Sequence, residues 1–250
     1  MIIFNKSNEL LNGIFYKGIH RYSTFSHFQS VFTDRWYNLI LPLVSEKEFC
    51  WEEAEKIIAA ELKKGVGVSY YISEVNLLGY QKKLSAKDYK EDWNDSYVYK
   101  TSKVPIEASD QNFRFVDATN YRDFVQASIQ CFPEYSNNEE YCKFCSDISQ
   151  KLGEKRNFNV LYYKDKKVVS FGSILLSPKF KLGYLHNIGT VPTQRRKGYF
   201  TLLVKYLSAL ALEDQVDTVY ANVDNGAGSF LGFKKMGFKE DSNFHLFSKH

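Results

Sequence analysis

The sequence predicts an α/β protein of two domains, residues 1–105 and 112–250. Three observations carry this. Apolar residues recur with period 2 in some stretches and at helical spacing in others, and the two kinds follow one another along the chain. Residues 101–111 (TSKVPIEASDQ) are polar, contain a proline and lack periodicity, so they read as a linker. The second half holds a short apolar strand, a proline, a basic turn with a glycine, and then a helix.

The first domain contributes elements in order. Residues 36–43 (WYNLILPL) read as a strand with a proline near its end. Ser45 and Glu48 have the S-x-x-E spacing of a capping box. The helix after them carries Trp51, Ala54, Ile57, Ile58 and Leu62 at helical spacing and stops at Gly65. Residues 66–73 (VGVSYYIS) read as a strand, and residues 97–99 close another.

In the second domain residues 112–118 alternate and form its first strand. Helices follow over 117–130 and 137–152, the latter ended by Gly153. Residues 158–163 and 167–176 are strands joined by a turn at Asp165, Lys166 and Lys167. The second of them (VVSFGSILL) is apolar enough for a central strand. Residues 183–191 form a strand that Pro192 stops, because proline has no N–H for a ladder. Tyr199, Leu202, Leu203, Tyr206, Leu207 and Leu210 then mark a helix. A strand at 217–223 and a last strand at 243–247 complete the chain.

Composition sets limits. Two hundred and fifty residues suffice for one large core or two small ones. A net charge of +4 is too small to argue for nucleic acid. Residues 1–18 have no basic region leading into a continuous apolar run, so no signal peptide or membrane span is expected, and the expected location is cytoplasmic. Four cysteines are too few for a disulfide framework. Cys142 and Cys145 form a C-x2-C without a second pair, which reads as two half-buried thiols on a helix; no metal is expected.

The basic turn carries the chemistry. Helix starts leave four N–H groups without intrahelical partners and bear a partial positive charge. Arg195, Arg196 and Lys197 surround this one, and Gly198 has no Cβ to keep a phosphate from the backbone. From charge and glycine alone, a polyphosphate cradle and a solvated basic turn fit equally well.

A resemblance decides between them. Arg195-Arg196-Lys197-Gly198-Tyr199-Phe200, after a strand and a proline-containing turn, resembles the acetyl-CoA motif of the GNAT acyltransferase superfamily. That motif ends on a small residue where this chain has Phe200. About forty residues on, Phe233-Lys-Lys-Met-Gly-Phe238 resembles the family's aromatic, three residues and Gly-Phe. The resemblance covers roughly residues 112–250. It implies the order β-α-α-β-β-β-α-β-α-β-β, with a mixed sheet that splays at its centre and helices on both faces. A fainter echo at 78–80 (LGY) before a late aromatic strand is similar to tandem GNAT proteins whose first copy has lost its CoA motif; an unrelated α/β domain over residues 1–105 is the alternative.

The resemblance implies acetyl-CoA as co-substrate, an amine as acceptor, and the following residues. Ile188, Gly189 and Thr190 pair with the pantetheine arm through their backbone, and one N–H there polarises the acyl carbonyl, an effect of about 3–4 kcal/mol per donor. Arg195, Arg196, Lys197, Gly198, Tyr199, Phe200 and Thr201 hold the pyrophosphate. Asn225 stands one residue from the family's asparagine. Phe233 occupies the place of the tyrosine that protonates the leaving thiolate, and it has no hydroxyl. Tyr199 and Tyr220 are replacements to weigh against simple packing.

For a base, the motif strand offers Tyr184 and His186, of which His186 titrates nearer neutrality. A base is dispensable for some acceptors. An α-amine, with a pKa of about 8, is roughly one tenth neutral at pH 7, whereas a lysine amine, at about 10.4, is neutral in about one part in a few thousand. In tandem members the acceptor lies in a groove between the halves, which brings Trp36, Tyr37 and Trp93 into consideration beside their ordinary role as core residues.

Other readings fail on spacing. Gly226, Gly228 and Gly232 lack the βαβ unit and acidic partner of a dinucleotide site, and no P-loop is present. Two functions stay open. One is an acyl-CoA-dependent N-acyltransferase acting on a primary amine of a small molecule or peptide. The other is a GNAT-like protein that binds CoA without turnover.

Overall fold

The computed structural model describes residues 2–102, 111–133, 138–148 and 155–249. The linker read at 101–111 and the helix end at Gly153 lie mostly outside them. The elements are α1 (Ile2–Leu11), β1 (Tyr16–Arg21), β2 (Phe25–Ser30), β3 (Leu39–Pro42), α2 (Trp51–Leu62), β4 (Ser69–Ser73), α3 (Leu77–Ser85) and β5 (Lys90–Thr101). They continue as β6 (Phe113–Phe115), α4 (Tyr121–Cys131), α5 (Asn138–Ile148), β7 (Arg156–Lys164), β8 (Lys167–Ser177) and β9 (Leu182–Thr190). Last come α6 (Tyr199–Glu213), β10 (Thr218–Asp224), α7 (Gly228–Lys235) and β11 (Lys239–Ser248).

Contacts divide the chain into two compact units. Unit 1 is Met1–Tyr97, Asn222–Phe230 and Glu240–His250; unit 2 is Val98–Ala221 and Leu231–Lys239.

Unit 1 orders its strands β1-β2-β3-β4-β11-β5, with β3 and β4 parallel and β11 antiparallel to β4. Adjacent residues on β4 face opposite ways, as strand geometry requires. Tyr70 enters the core under α2 and α3 with Phe25, Ile40, Phe49, Ile58 and Tyr80. Tyr71 instead stacks on Phe244 at 4.5 Å, and Phe4 of α1 lies 4.4 Å from the same Phe244 ring.

Two expectations need correction here. Ser45 and Glu48 do not cap α2, which begins at Trp51 after Cys50 with no side-chain cap. Ser45 Oγ donates to the Glu48 carboxylate at 3.0 Å in a turn ahead of the helix. Phe49 is buried, and Trp51 Nε1 donates to the Glu46 carbonyl, so the chain folds back to bury that ring before the helix can start. The strand read from residue 36 starts only at Leu39. Asp34 accepts the Trp36 N–H, and the Asn38 amide donates to the Phe32 and Asp34 carbonyls, which holds this stretch in a turn.

Unit 2 orders its strands β10-β9-β8-β7-β6. On one face α4 and α5 bury Phe124, Cys142 and Cys145 against Leu161 and Phe171. On the other lies α6. Gly172 of β8 permits its close approach, since a Cβ there would meet Leu203 at 3.1 Å and Leu207 at 3.3 Å. The β7–β8 hairpin turns on Asp165 and Lys166, both at positive φ.

Candidate functional site

The strand–turn–helix stretch forms as its sequence suggests. The strand β9 is antiparallel to β8 over most of its length and parallel to β10 on its other side. The parallel ladder pairs Leu182, Gly183 and Tyr184 with Thr218, Val219 and Tyr220, and ends there. As β9 runs on to Thr190, its Leu185–Thr190 backbone has no ladder partner on the β10 side among the described residues. Ile188, Gly189 and Thr190 lie in this unladdered stretch. Opposite them, the β8–β9 register shifts between Phe171 and Ser173, and Asn187 takes φ +49. This is a bulge: two residues of β9 face one of β8, and the strand bends.

Past β9, Pro192–Gln194 form a 3₁₀ turn. Arg196 then takes φ +64 and Gly198 φ +86. Gly198 is the N-cap of α6, and no side chain caps the helix. The N–H groups of its first turn therefore open outward beside exposed Arg195, Arg196 and Lys197. The three cations are not equivalent. Arg195 Nε donates to the Thr190 carbonyl at 3.2 Å and tethers the turn to the end of β9. Lys197 reaches Gln194 at 2.9 Å.

Phe200 sits where the resembling motif has a small residue, and its ring turns toward α7. It packs on Phe233 at 5.2 Å, edge to face, and covers Gly232. Phe233 is fully buried against Phe238. Tyr199 lies half-buried, 5.6 Å from the Tyr162 ring. Thr201 follows in the first helical turn.

The base candidates occupy the same strand but differ in setting. Tyr184 is half-buried and stacks between His186 at 5.2 Å and Tyr220 at 4.9 Å. His186 is 3% exposed. Asn157 donates its amide to the Cys145 carbonyl and to Asn159, so its Oδ1 is left to accept, and His186 Nε2 donates to it at 2.9 Å. His186 Nδ1 then accepts from the Tyr141 hydroxyl at 3.2 Å. Burial pushes the imidazole down to about 3. A base must present a free lone pair to the amine it deprotonates. Both nitrogens of His186 are committed to side chains, so its place is in the packing behind β9.

Asn225 belongs to unit 1, where its N–H donates to the Asn94 carbonyl at 2.9 Å and its side chain is exposed. Asn187 and Cys131 also border the site, without a sequence motif to mark them. Asparagine tolerates left-handed backbone better than most residues, which was the available signal for Asn187. Cys131 lies against Gly189 and interacts with Arg195; burial raises its thiol to about 11. Among the described residues, no three His, Cys, Asp or Glu side chains are placed to hold a metal ion. No helix among them is long and apolar enough to cross a membrane.

The sequence pattern of the Acetyltransferase (GNAT) family matches residues 119–238, which contain this site. These residues carry a GNAT-type acetyltransferase domain. Solved structures of low identity share its fold along nearly the whole chain. A GCN5-related N-acetyltransferase from Kribbella flavida matches with a TM-score of 0.69 at 12% identity, covering 98% of this chain and 94% of its own. A functionally unknown conserved protein from Staphylococcus epidermidis ATCC 12228 matches at 0.71 and 11%, covering 95% of each. A tandem GNAT protein from the clavulanic acid biosynthesis pathway matches at 0.54 and 9%, covering 91% and 80%. No curated protein matches by sequence. The GNAT fold here is an α/β architecture with a mixed, open sheet flanked by helices, and the family's chemistry is acyl transfer from acetyl-CoA.

Proposed function

We propose that this GNAT protein is an acetyl-CoA-dependent N-acetyltransferase that acetylates a primary amine of a small molecule or peptide. The observation that carries the reading is the pairing, within unit 2, of an uncapped helix start after left-handed Gly198 with a β9 edge whose ladder stops at Tyr184. The first offers N–H groups to a diphosphate. The second offers backbone groups of Ile188, Gly189 and Thr190 to the pantetheine amides, and one N–H to the carbonyl that becomes an oxyanion. Arg196 and Lys197 add charge, while Arg195 chiefly holds the turn.

Proton transfer runs through solvent in this reading. His186 is committed elsewhere, Phe233 has no hydroxyl, and Tyr184 is stacked between two rings. The preferred acceptors are then amines with a sizeable neutral fraction near pH 7, such as α-amines. Residues 1–105 are read as a GNAT-like copy without a CoA motif, and residues 112–250 as the catalytic domain. The expected location is the cytoplasm.

One observation favours a second reading, a CoA-binding protein without turnover: the position of the thiolate's acid is a buried phenylalanine. Thiol release from acetyl-CoA with a panel of α- and ε-amines, run beside calorimetric titration with acetyl-CoA, tests both. Steady release above the no-amine background supports the enzyme. Saturable binding with no release supports the second reading, and no heat at millimolar acetyl-CoA sinks both.

A further inference from the structure

We propose that unit 2 carries a second ligand site, a cavity along α6 that takes a small organic anion with an apolar body, such as a short-chain carboxylate. The cavity has a volume of about 220 Å³. Its α6 wall is a single stripe, Thr201, Val204, Lys205, Ser208 and Leu212, at the spacing of one helix face. It runs from Thr201, which the coenzyme reading also uses, toward the last turn of α6. Val204, Leu212 and Phe238 make the apolar surface. Three lysines, Lys100 of β5, Lys205 of α6 and Lys235 of α7, are among its lining residues.

The charge is unbalanced. Among the described residues, none of these three lysines makes an ion pair. Lys100 is half-buried, and its Nζ donates only to the Met236 carbonyl, at 2.8 Å. Among the described residues, the one carboxylate lining the cavity, Asp217, accepts from the Thr218 hydroxyl. A partly desolvated cation without a counterion favours an anion, and the apolar wall favours a ligand with a hydrocarbon part. Size limits it further. Sites for drug-sized ligands span roughly 300–1,000 Å³, so this cavity holds a fragment rather than a nucleotide. The inference goes beyond the acetyltransferase reading and does not depend on it.

Ligand-observed NMR titration of the full chain with hexanoate, hexanol and hexylamine tests it. Saturable hexanoate binding near about 1 mM is expected, with hexanol several-fold weaker and hexylamine absent. Lys235→Met and Lys205→Met change exposed residues and leave the fold intact; the pair should weaken hexanoate by about 5-fold or more, and Lys100→Met should do so alone. Saturating acetyl-CoA should leave hexanoate affinity unchanged. No saturable binding at about 10 mM, equal affinity for hexanol, insensitivity to the lysine changes, or displacement by acetyl-CoA would each overturn the proposal.

Discussion

The ring of Phe200 lies over the bare Cα of Gly232: a Cβ at Gly232 would come within 2.8 Å of Phe200 Cε1 and 3.1 Å of Cδ1. The bulk that α6 carries at this position is matched by its absence on α7. The substitution that breaks the resembling motif is therefore absorbed by packing, and the backbone N–H of Phe200 keeps its place in the first helical turn. Phe200→Ala should cost about 2–3 kcal/mol of stability through the space it leaves, with less than about 3-fold change in acetyl-CoA affinity. Gly232→Ala should also destabilise. The double variant should be more stable than the two losses added, because removing either partner relieves the other. Denaturant unfolding of the four proteins measures the coupling, and strict additivity would show that the two positions do not meet.

Asn187 supplies the bend in β9. Its φ of +49 is left-handed, and its Oδ1 faces the Ser128 hydroxyl at 3.5 Å. Asn187→Gly keeps the backbone conformation and should hold acetyl-CoA affinity within about 3-fold. Asn187→Val opposes it by about 1–2 kcal/mol, and should raise the acetyl-CoA dissociation constant by about 10-fold. Calorimetry on the two variants, with melting temperatures to account for general destabilisation, separates the bulge from the side chain. Equal affinity in both would mean that the bend does not position the β9 amides.

His186 should show itself in stability rather than in rate. Its folded pKa, about 3, lies below the ordinary value of 6.5. Between these values the unfolded chain binds a proton that the folded chain refuses, so stability is full above about pH 6.5 and falls as the pH drops toward 3. The loss from this group between pH 7 and pH 5 is roughly 2 kcal/mol. His186→Gln should remove that part of the acid slope and change kcat by less than about 10-fold. A collapse in kcat with an unchanged acid slope would restore His186 as the base.

What the sequence disclosed follows the range of the interactions. The strand, Pro192, the basic turn, Gly198 and α6 were legible because each signal sits within a few residues of its effect. The splay of β9 from β10 was implied only through resemblance. The bulge at Asn187 has no local sequence signal of its own, since register depends on the facing strand. Strand alternation shows which face His186 takes, but its burial comes from Tyr141 and Asn157, many residues earlier. The role of Phe200 depends on Gly232, which no local pattern links to it. Before residue 36 the sequence pattern is weak: β1, an edge strand with only one fully buried residue, carries little periodic signal.

Gly198 offers the most direct test of the coenzyme site. Its φ is +86, and an added Cβ would meet nothing within 4 Å. Any cost of substitution in the free protein is therefore backbone strain rather than collision. Asparagine tolerates the left-handed region, alanine pays about 1–2 kcal/mol, and a β-branched residue pays more. If strain alone mattered, acetyl-CoA affinity would fall in the order Gly, Asn, Ala, Val. If a diphosphate also lies against the Cα, Gly198→Asn should lose affinity by about 10-fold even though its fold and melting temperature are preserved. Calorimetric titration of the three variants with acetyl-CoA distinguishes these outcomes. Wild-type affinity in all three would remove the helix start from the site.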